Sequence, residues 1–575
     1  MVDLRVLTSL GKLRRIPTGI ILFVGFLLNL PGLLSPYWLD DFVHAAMVRG
    51  TFPSPRSPFD LYNFVSNGDR ALLIDRGVLP WWTHPHLTIR FFRPLASVLR
   101  WADMKVLGDH PLLHHAHSFL WWALAVLAAR SLYRKWLEPR AAIVATAVFA
   151  LAPCHATPIA WLANREVLIA LVFGALAISH AARFREEGGA RSMLVATAFY
   201  TLAMLSGEYA LAFGGYAFAS FVFERGTIAR RAGAFATFLV PAIAMLVTRH
   251  ALGFGNSGSG FYRDPFTQTE LFVSGMPRRL ARIVVDAWLA SESGWVMDVA
   301  PWLVALAIVP LILVIAIPLR ATLADQPDDR RRTALACVLG SLLSMVPMVG
   351  VAPSARLLGI VMLGTAPLVA LMLDRAWFVA QPVAGRFGVF AVVLAFFHLV
   401  HGPVTTFLQS KLYYDISNAF LERARALSER CDDKPEEAKI VLARSSWEIV
   451  LFLPFALRDD NRLPAKWWVL SLSPHALMLR RSDRVVELLV PKGRGYFPTG
   501  PNDLFRSEDH PLHAGDEVTV PGLHATVLET GERGPARLRF EFDQKLESLV
   551  WVADGKEGWR DVPPPQIGFG MPLDP

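Results

Sequence analysis

The stretch Ile16–Leu34, IPTGIILFVGFLLNLPGLL, decides the fold because it carries no charged side chain over a length that can cross a bilayer as a helix. Backbone N–H and C=O groups find no partner in the hydrocarbon core outside their own segment, so such a stretch must be helical. Lys12, Arg14 and Arg15 precede it, which predicts a cytoplasmic N-terminus. No small-residue cleavage site follows, so we expect a retained helix rather than a signal peptide.

The composition of the whole chain agrees with a membrane protein. Its 575 residues are 53% hydrophobic and 18% charged, whereas soluble domains carry roughly 25% charged residues. The mean hydropathy is +0.37. The apolar residues fall into blocks of helical length, which predict about eleven spans. These blocks are Ile16–Leu34, Leu113–Leu132, Ala141–Ala160, Val167–Ala182, Met193–Leu205, Tyr209–Phe223, Ala232–Leu252, Ala300–Leu319, Thr333–Val351, Leu357–Leu373 and Phe387–Val400.

Basic residues between the blocks predict how the spans are oriented. If spans alternate, the loops that contain Arg134, Arg183, Arg230 and Arg331 face the cytoplasm, and the short turns between them are nearly free of Lys and Arg. The C-terminus is then periplasmic, with a bacterial inner membrane as the expected location. These loops account for the net charge of +8, so no nucleic-acid partner is inferred.

The predicted fold is an all-α polytopic membrane domain followed by a small extracytoplasmic β-domain. The membrane domain covers 1–404 and includes two outer loops, 35–111 and 253–299. A charged helical connector is predicted over 405–435. From 436 to 575 the sequence changes to short β-type runs such as KIVLA and ATVLE, separated by turn signals such as PKG.

The first outer loop opens with two adjacent carboxylates, Asp40 and Asp41, and His44 follows three residues later. Acidic side chains at a membrane surface are unfavourable unless they are solvated, paired or functional. Taken alone, the segment is explained by a solvated helix end with aromatic interface anchors. The other polar residues of the chain favour a functional interpretation.

These other polar residues are predicted to lie at the same membrane face. They occur in the segments FFRPL, PCHATPIAWLANR and SGEY, and are Arg93, His155, Arg165 and Glu208. Arginine is permanently charged and grips phosphate through two parallel hydrogen bonds. Arg356, at the predicted outer end of the tenth span, is a further candidate, for which a snorkelling interface arginine is an equally good explanation.

This ordered set resembles the polytopic glycosyltransferase C superfamily, and most closely the bacterial relatives of the transmembrane and tetratricopeptide-repeat O-mannosyltransferases of the dolichyl-phosphate-mannose type. The likeness covers residues 17–270 and consists of the acidic pair, the RPL motif, P-x-H-x-x-x-x-A-W-x-x-x-R and the S-x-E turn. Three features depart from the family. Thr157 replaces an acidic residue, Gly207 replaces a basic residue, and the tail is β-type rather than helical repeats. These departures leave the sugar and the acceptor open.

The resemblance implies an inverting glycosyltransferase embedded beside its lipid substrate. The donor would be a polyprenyl-phosphate-linked sugar and the acceptor a hydroxyl of a protein or glycolipid. Asp40 would be the general base, with Asp41 positioning the acceptor or a divalent metal ion. The implied ligands of the donor phosphate are Arg93, Arg165 and Arg356, and the implied supporting residues are His44, His155 and Glu208.

Two alternatives to an enzyme remain at this stage. A transporter or flippase of a lipid-linked sugar should place ionisable residues mid-span and show repeated halves. This chain keeps its acids at one predicted rim and has a long loop after the first span, which favours an enzyme. The other alternative is a non-catalytic membrane scaffold whose β-domain recruits a partner.

Overall fold

The computed structural model describes residues 18–292, 301–379, 386–491, 493–497, 503–556 and 558–574. The chain forms two compact units whose segments alternate along the sequence. The first unit comprises Met1–Pro36, Phe92–Gly253 and Glu270–Asp415, and the second comprises Tyr37–Phe91, Phe254–Thr269 and Ile416–Pro575.

In the described residues of the first unit, all regular secondary structure is helical. The helix Gly402–Glu429 begins in the first unit and continues into the second. The helices are Thr18–Leu33, Pro94–Val106, Pro111–Trp136, Pro139–Ala150, Ala156–Ala160, Glu166–Glu187, Ala190–Ser206, Phe213–Phe223, Ile228–Ala251, Thr269–Leu289, Pro301–Ala324, Asp328–Ser344, Gly359–Asp374, Arg386–Phe396 and Gly402–Glu429.

Among the described residues, six helices are long and apolar enough to cross a membrane, or seven if the pair Pro139–Ala150 and Pro153–Ala160, bent by 48°, is one span. The count of eleven spans is therefore not confirmed. One reason is visible at Tyr209–Phe223, where a 3₁₀ turn occupies Glu208–Ala212 and leaves a helix of 11 residues. At about 1.5 Å per residue, such a helix is too short for a hydrocarbon core of about 30 Å.

Small residues allow the helices of the first unit to pack closely, as is common in membrane bundles. Gly174 faces the fully buried ring of Phe213, and a Cβ atom at Gly174 would lie 2.0 Å from Phe213 Cε2. A Cβ atom at Gly364 would lie 2.7 Å from the hydroxyl of Tyr216. These close approaches therefore require glycine, because a residue with a Cβ atom does not fit at either position.

The strands of the described chain all lie in the second unit, together with the helices Asp40–Arg49, Arg70–Asp75 and Trp447–Phe452. They are β1 (Asn63–Val65), β2 (Thr88–Arg90), β3 (Gly255–Ser257), β4 (Lys439–Arg444), β5 (Lys466–Val469), β6 (Ala476–Arg480), β7 (Val485–Leu489), β8 (Glu517–Val520), β9 (Leu523–Gly531), β10 (Gly534–Phe542), β11 (Val550–Gly555), β12 (Gly558–Asp561) and β13 (Gly570–Leu573).

The strands form three sheets. The outer-loop strands pair in the order β1-β2-β3, all antiparallel. An antiparallel sheet has the order β13-β6-β7-β10-β9-β8, and the third sheet has the order β12-β11-β4-β5, in which β4 is parallel to both of its neighbours. The predicted β-rich C-terminal region is confirmed, whereas the exact domain boundaries at 404 and 435 stay predictions.

The segment Tyr37–Phe91 packs against the C-terminal sheets within the second unit. Trp81 donates a hydrogen bond through Nε1 to the carbonyl of Val469, 3.1 Å away, at the edge strand β5. The ring of Trp82 stacks on Phe497 with centroids 4.3 Å apart, and Arg506 donates through Nε to the Trp82 carbonyl at 2.6 Å. The hydrogen bond from Trp81 thus gives a partner to one backbone carbonyl of this edge strand.

Candidate functional site

The acidic pair begins the helix Asp40–Arg49 of the second unit. A helix N-terminus favours negative charge, because its first N–H groups point outward along the helix dipole. The Asp41 side chain is buried and accepts a hydrogen bond from the Trp38 N–H at 3.1 Å, whereas Asp40 is partly exposed. Of the two carboxylates, Asp40 is therefore the more accessible.

The residue before the pair, Leu39, has a strained backbone. Its φ is 43° and its ψ is −108°, values that a residue with a Cβ atom rarely adopts. Such strain persists only where the surrounding structure imposes it, and it is concentrated at functional sites. The strain at Leu39 therefore favours a functional interpretation of the acidic pair.

His44 is fully buried on the same helix. Its ring lies edge-on to Tyr62 at 4.8 Å and stacks on Phe64 at 5.6 Å. The structure thus places this predicted supporting residue in an aromatic cluster of the second unit.

In the first unit, Arg93 lies between two carboxylates. Its Nη1 is 3.0 Å from Glu166 Oε1, and its Nε is 3.3 Å from Glu208 Oε2. Glu208 Oε1 also accepts the N–H of Phe92 at 2.9 Å, and Glu166 Oε1 accepts from Asn164 Nδ2 at 3.0 Å. The charge of Arg93 is therefore balanced within the unit.

The same contacts leave little room for a side chain at Gly207. A Cβ atom at Gly207 would lie 3.3 Å from Arg93 Nε and 3.4 Å from Glu166 Cγ. A basic side chain would enter a space that Arg93 already occupies. A second cation, Arg249, lies near Glu208, with its Nε 3.7 Å from Glu208 Oε1.

Arg165 is 3% exposed and belongs to a buried hydrogen-bonded network. It forms an ion pair with Asp103, donates through Nε to Ser118 Oγ at 2.8 Å and donates through Nη2 to the His114 carbonyl at 2.7 Å. Burial opposes ionisation of Asp103, but the hydrogen bond from His117 and the charge of Arg165 outweigh it and lower its pKa to about 2. Arg165 is thus paired with a buried carboxylate that stays ionised at neutral pH.

Arg356 differs from both of these arginines. Its guanidinium lies over the ring of Trp161, 5.4 Å from the centroid, and its side chain is partly exposed. Within the described parts of the chain, it has no hydrogen bond or ion pair. Its loop is fixed by Glu292, which accepts the Ala355 N–H at 3.0 and 3.1 Å and the Ser354 hydroxyl at 3.1 Å. The loop is thus held in place, and the charge of Arg356 also acts on the buried carboxylate of Glu166.

His155 is fully buried and donates through Nε2 to the Phe149 carbonyl at 2.9 Å. Its ring also packs edge-on against the ring of Phe149 at 4.9 Å. The structure therefore places this residue in the interior of the first unit.

Arg93, Arg165, Glu166 and Glu208 lie together at one end of the first unit. Glu166 is the first residue of the helix Glu166–Glu187, which has 22 residues and is therefore about 33 Å long. Arg165 precedes Glu166, and Arg93 joins Glu166 to Glu208. At the far end of the helix, Arg185 pairs with Glu224.

The structure brings Arg93 and Glu208 into contact, with Arg165 nearby, and assigns Asp40, Asp41 and His44 to the other unit. Sequence reasoning assigned no role to several polar partners in the first unit. A carboxylate at the start of an apolar span is unusual, and this feature could have identified Glu166 from the sequence. These partners are Asp103, Ser118, Asn164, Glu166 and Glu292.

The divalent metal ion that the resemblance leaves open finds no support in the geometry. Across the described residues, no three His, Cys, Asp or Glu side chains are arranged to hold a metal ion.

No protein-family model matches the chain, and no curated protein matches it. Among solved structures, the chain is similar to an oligosaccharyltransferase from Archaeoglobus fulgidus tethered with an acceptor peptide, with 12% identity and a TM-score of 0.41 over 78% of this chain. It spans 64% of the length of that protein. ArnT from Cupriavidus metallidurans bound to undecaprenyl phosphate is similar over 77% of this chain and 84% of its own, with 13% identity and a TM-score of 0.40. Likeness this weak does not assign the chain to a family.

Proposed function

We propose that the chain is a membrane glycosyltransferase that moves a sugar from a polyprenyl-phosphate carrier to a hydroxyl acceptor at the outer face of the membrane. The observation that supports it best is Arg356, a cation without a hydrogen bond or ion pair in the described residues, held over Trp161 at one end of a helical bundle. The ordered motifs of the sequence support the same proposal. The resemblance suggests mannose as the sugar and a protein or glycolipid hydroxyl as the acceptor.

In the proposed reaction, an acceptor oxygen attacks the anomeric carbon while the bond from that carbon to the phosphate oxygen breaks. A single displacement of this kind inverts the anomeric configuration. Asp40 is the proposed general base that takes the proton from the acceptor hydroxyl. Arg356 is the proposed ligand of the phosphate, where it stabilises the negative charge that develops on the leaving group.

We propose positioning roles for the other two arginines. Arg93 is held by Glu166 and Glu208, and Arg165 is held by Asp103. To bind phosphate, each would have to give up part of an existing ion pair. They are better suited to fixing the helix ends near Arg356.

The proposal is tested by measuring the affinity of the purified chain for undecaprenyl phosphate in nanodiscs. Arg356→Ala should weaken binding by about ten- to a hundredfold, because a charge-assisted hydrogen bond contributes roughly 1.5–3 kcal/mol. Arg356→Lys should restore part of the affinity, since it keeps the charge and loses the bidentate geometry. Arg191→Ala is the control, since Arg191 is exposed on the helix Ala190–Ser206.

Unchanged affinity in Arg356→Ala would remove the phosphate role of this residue. The reaction itself is tested by mass spectrometry of outer-face glycans and glycoproteins from cells with and without the chain. Identical glycans in both would contradict the proposed function.

A further inference from the structure

A cavity opens at the end of the first unit where the helix Glu166–Glu187 ends, remote from Arg356 and Arg93. Only a small part of it is enclosed, and the rest is open to the outside. Its walls are mostly apolar and aromatic, and include Trp136, Ile178, Phe221 and Phe238. The proposed transfer reaction makes no use of this cavity.

A buried cation also lines this cavity. Arg185 is 8% exposed and forms an ion pair with Glu224, which also lines the cavity. The Arg185 Nε is buried and, in the described part of the chain, has no hydrogen-bond partner. A buried donor without a partner is unfavourable, so the site is incomplete without an acceptor.

A second guanidinium lines the same cavity. Arg231 donates through Nε to the Phe221 carbonyl at 2.7 Å, and its guanidinium lies over the Phe221 ring at 5.2 Å from the centroid. Arg185 also pairs with Glu186, 3.4 Å away, so Glu186 and Glu224 together balance the charges of the two arginines. The cavity thus combines two guanidinium groups with an apolar wall.

We propose that this cavity binds the head group of an anionic phospholipid. The phosphodiester would accept hydrogen bonds from Arg185 and Arg231, including one from the buried Arg185 Nε. The aromatic wall at Phe221 and Phe238 would contact the start of an acyl chain. Basic pockets between membrane helices are suited to anionic head groups for this reason. A free phosphate ion fits less well, because it offers no apolar surface to the aromatic wall.

The test measures lipid retention by native mass spectrometry, using the full chain from nanodiscs of phosphatidylcholine with increasing phosphatidylglycerol. We expect phosphatidylglycerol to be retained in preference to phosphatidylcholine. Ser220→Leu, which fills the cavity and keeps its charges, should reduce retention about tenfold, as should Arg231→Gln. Arg183→Gln is the matched control, because Arg183 is exposed on the same helix as Arg185 and pairs with Glu187.

Equal retention of the two lipids, or unchanged retention in Ser220→Leu, would overturn the proposal. Thermal unfolding of each variant in the same nanodiscs identifies a variant that fails to fold, and Arg231→Gln then gives the independent answer. A parallel titration with inorganic phosphate distinguishes a lipid site from a simple anion site. If phosphate alone displaces phosphatidylglycerol at millimolar concentration, the site binds anions without regard to lipid, and the proposal fails.

Discussion

At the scale of single residues, the arginines at one end of the first unit differ in what they bind, so their substitutions should differ in effect. Arg165 neutralises Asp103 inside the unit, whereas Arg356 lies over Trp161 and has no ion pair within the described residues. Removing one partner of a buried ion pair is strongly destabilising, because it leaves the other charge buried and uncompensated. Removing a charge that binds only a ligand should change affinity and leave stability nearly unchanged.

We therefore predict that Arg165→Ala destabilises the chain by about 3–5 kcal/mol, because Asp103 is left without its counter-charge. The measurement is thermal unfolding in detergent, with Arg356→Ala as the control whose melting temperature should stay close to that of the parent. Substituting Asp103 and Arg165 together by apolar residues should recover part of the loss. A melting temperature of Arg165→Ala equal to that of the parent would contradict this prediction.

The same pair makes stability depend on pH. The pKa of Asp103 is lowered to about 2 in the folded chain, below its usual value of about 3.9. The folded state therefore binds fewer protons here than the unfolded state does. The stabilisation is fully present above about pH 4 and is lost as the pH falls toward 2.

A further prediction concerns the acidic pair. Asp40→Asn should lower transfer by about 10²–10⁴-fold, because the amide cannot take the proton of the acceptor hydroxyl. Turnover of purified protein with a polyprenyl-phosphate sugar is the measurement, and Asp75→Asn, exposed in the same unit, is the control. If Asp40→Asn keeps normal turnover, Asp41 becomes the candidate base.

At the scale of elements, the close packing of helices depends on a few glycines. Gly174→Ala places a methyl group 2.0 Å from the ring of Phe213 and should lower the melting temperature, because the helices must move apart. Gly214→Ala meets no atom within 4 Å, so it should be neutral or slightly stabilising through helix propensity. Equal effects of the two substitutions would show that this contact does not hold the helices together.

The antiparallel sheet β13-β6-β7-β10-β9-β8 of the second unit contains a buried carboxylate, that of Glu487. Glu487 on β7 is 1% exposed and is hydrogen-bonded by Arg537, Arg539 and Arg481. Burial acts to raise the pKa of Glu487, and these three arginines outweigh it, so the pKa is lowered. Two of the arginines lie on the neighbouring strand β10, so the pairing of β7 with β10 creates this site.

At the scale of the whole molecule, apolar side chains remain exposed along spanning helices. On the helix Ile228–Ala251, the exposed fractions of Val240 and Val247 are 61% and 62%. A hydrocarbon solvent accounts for such a surface, which water would make unfavourable. The structure thus agrees with an integral membrane protein.

The orientation in that membrane is a prediction. An alkaline phosphatase fused after Pro575 should be active, because the loop arginines place the C-terminus outside the cytoplasm. A fusion at Gln326, beside the predicted cytoplasmic arginines 330–332, should be inactive and serves as the control. The reverse pattern would contradict the predicted orientation.

By itself, the sequence determined the helical membrane character of most of the chain and the β-type of its C-terminal region. Both follow from local properties, namely the length of apolar runs and the short period of the β-type segments. The number of spans was harder to predict from the sequence, because a 3₁₀ turn such as Glu208–Ala212 shortens a helix without changing the hydropathy of the segment.

Only the tertiary structure decided which candidate arginines are already bound. Asp103 and Arg165 are 62 residues apart in the chain, and Arg93 and Glu208 are 115 apart. No local pattern pairs such residues, because their contact depends on how whole helices pack. The same reason applies to the grouping of the outer loops with the C-terminal sheets, which rests on contacts such as that of Trp81 with Val469.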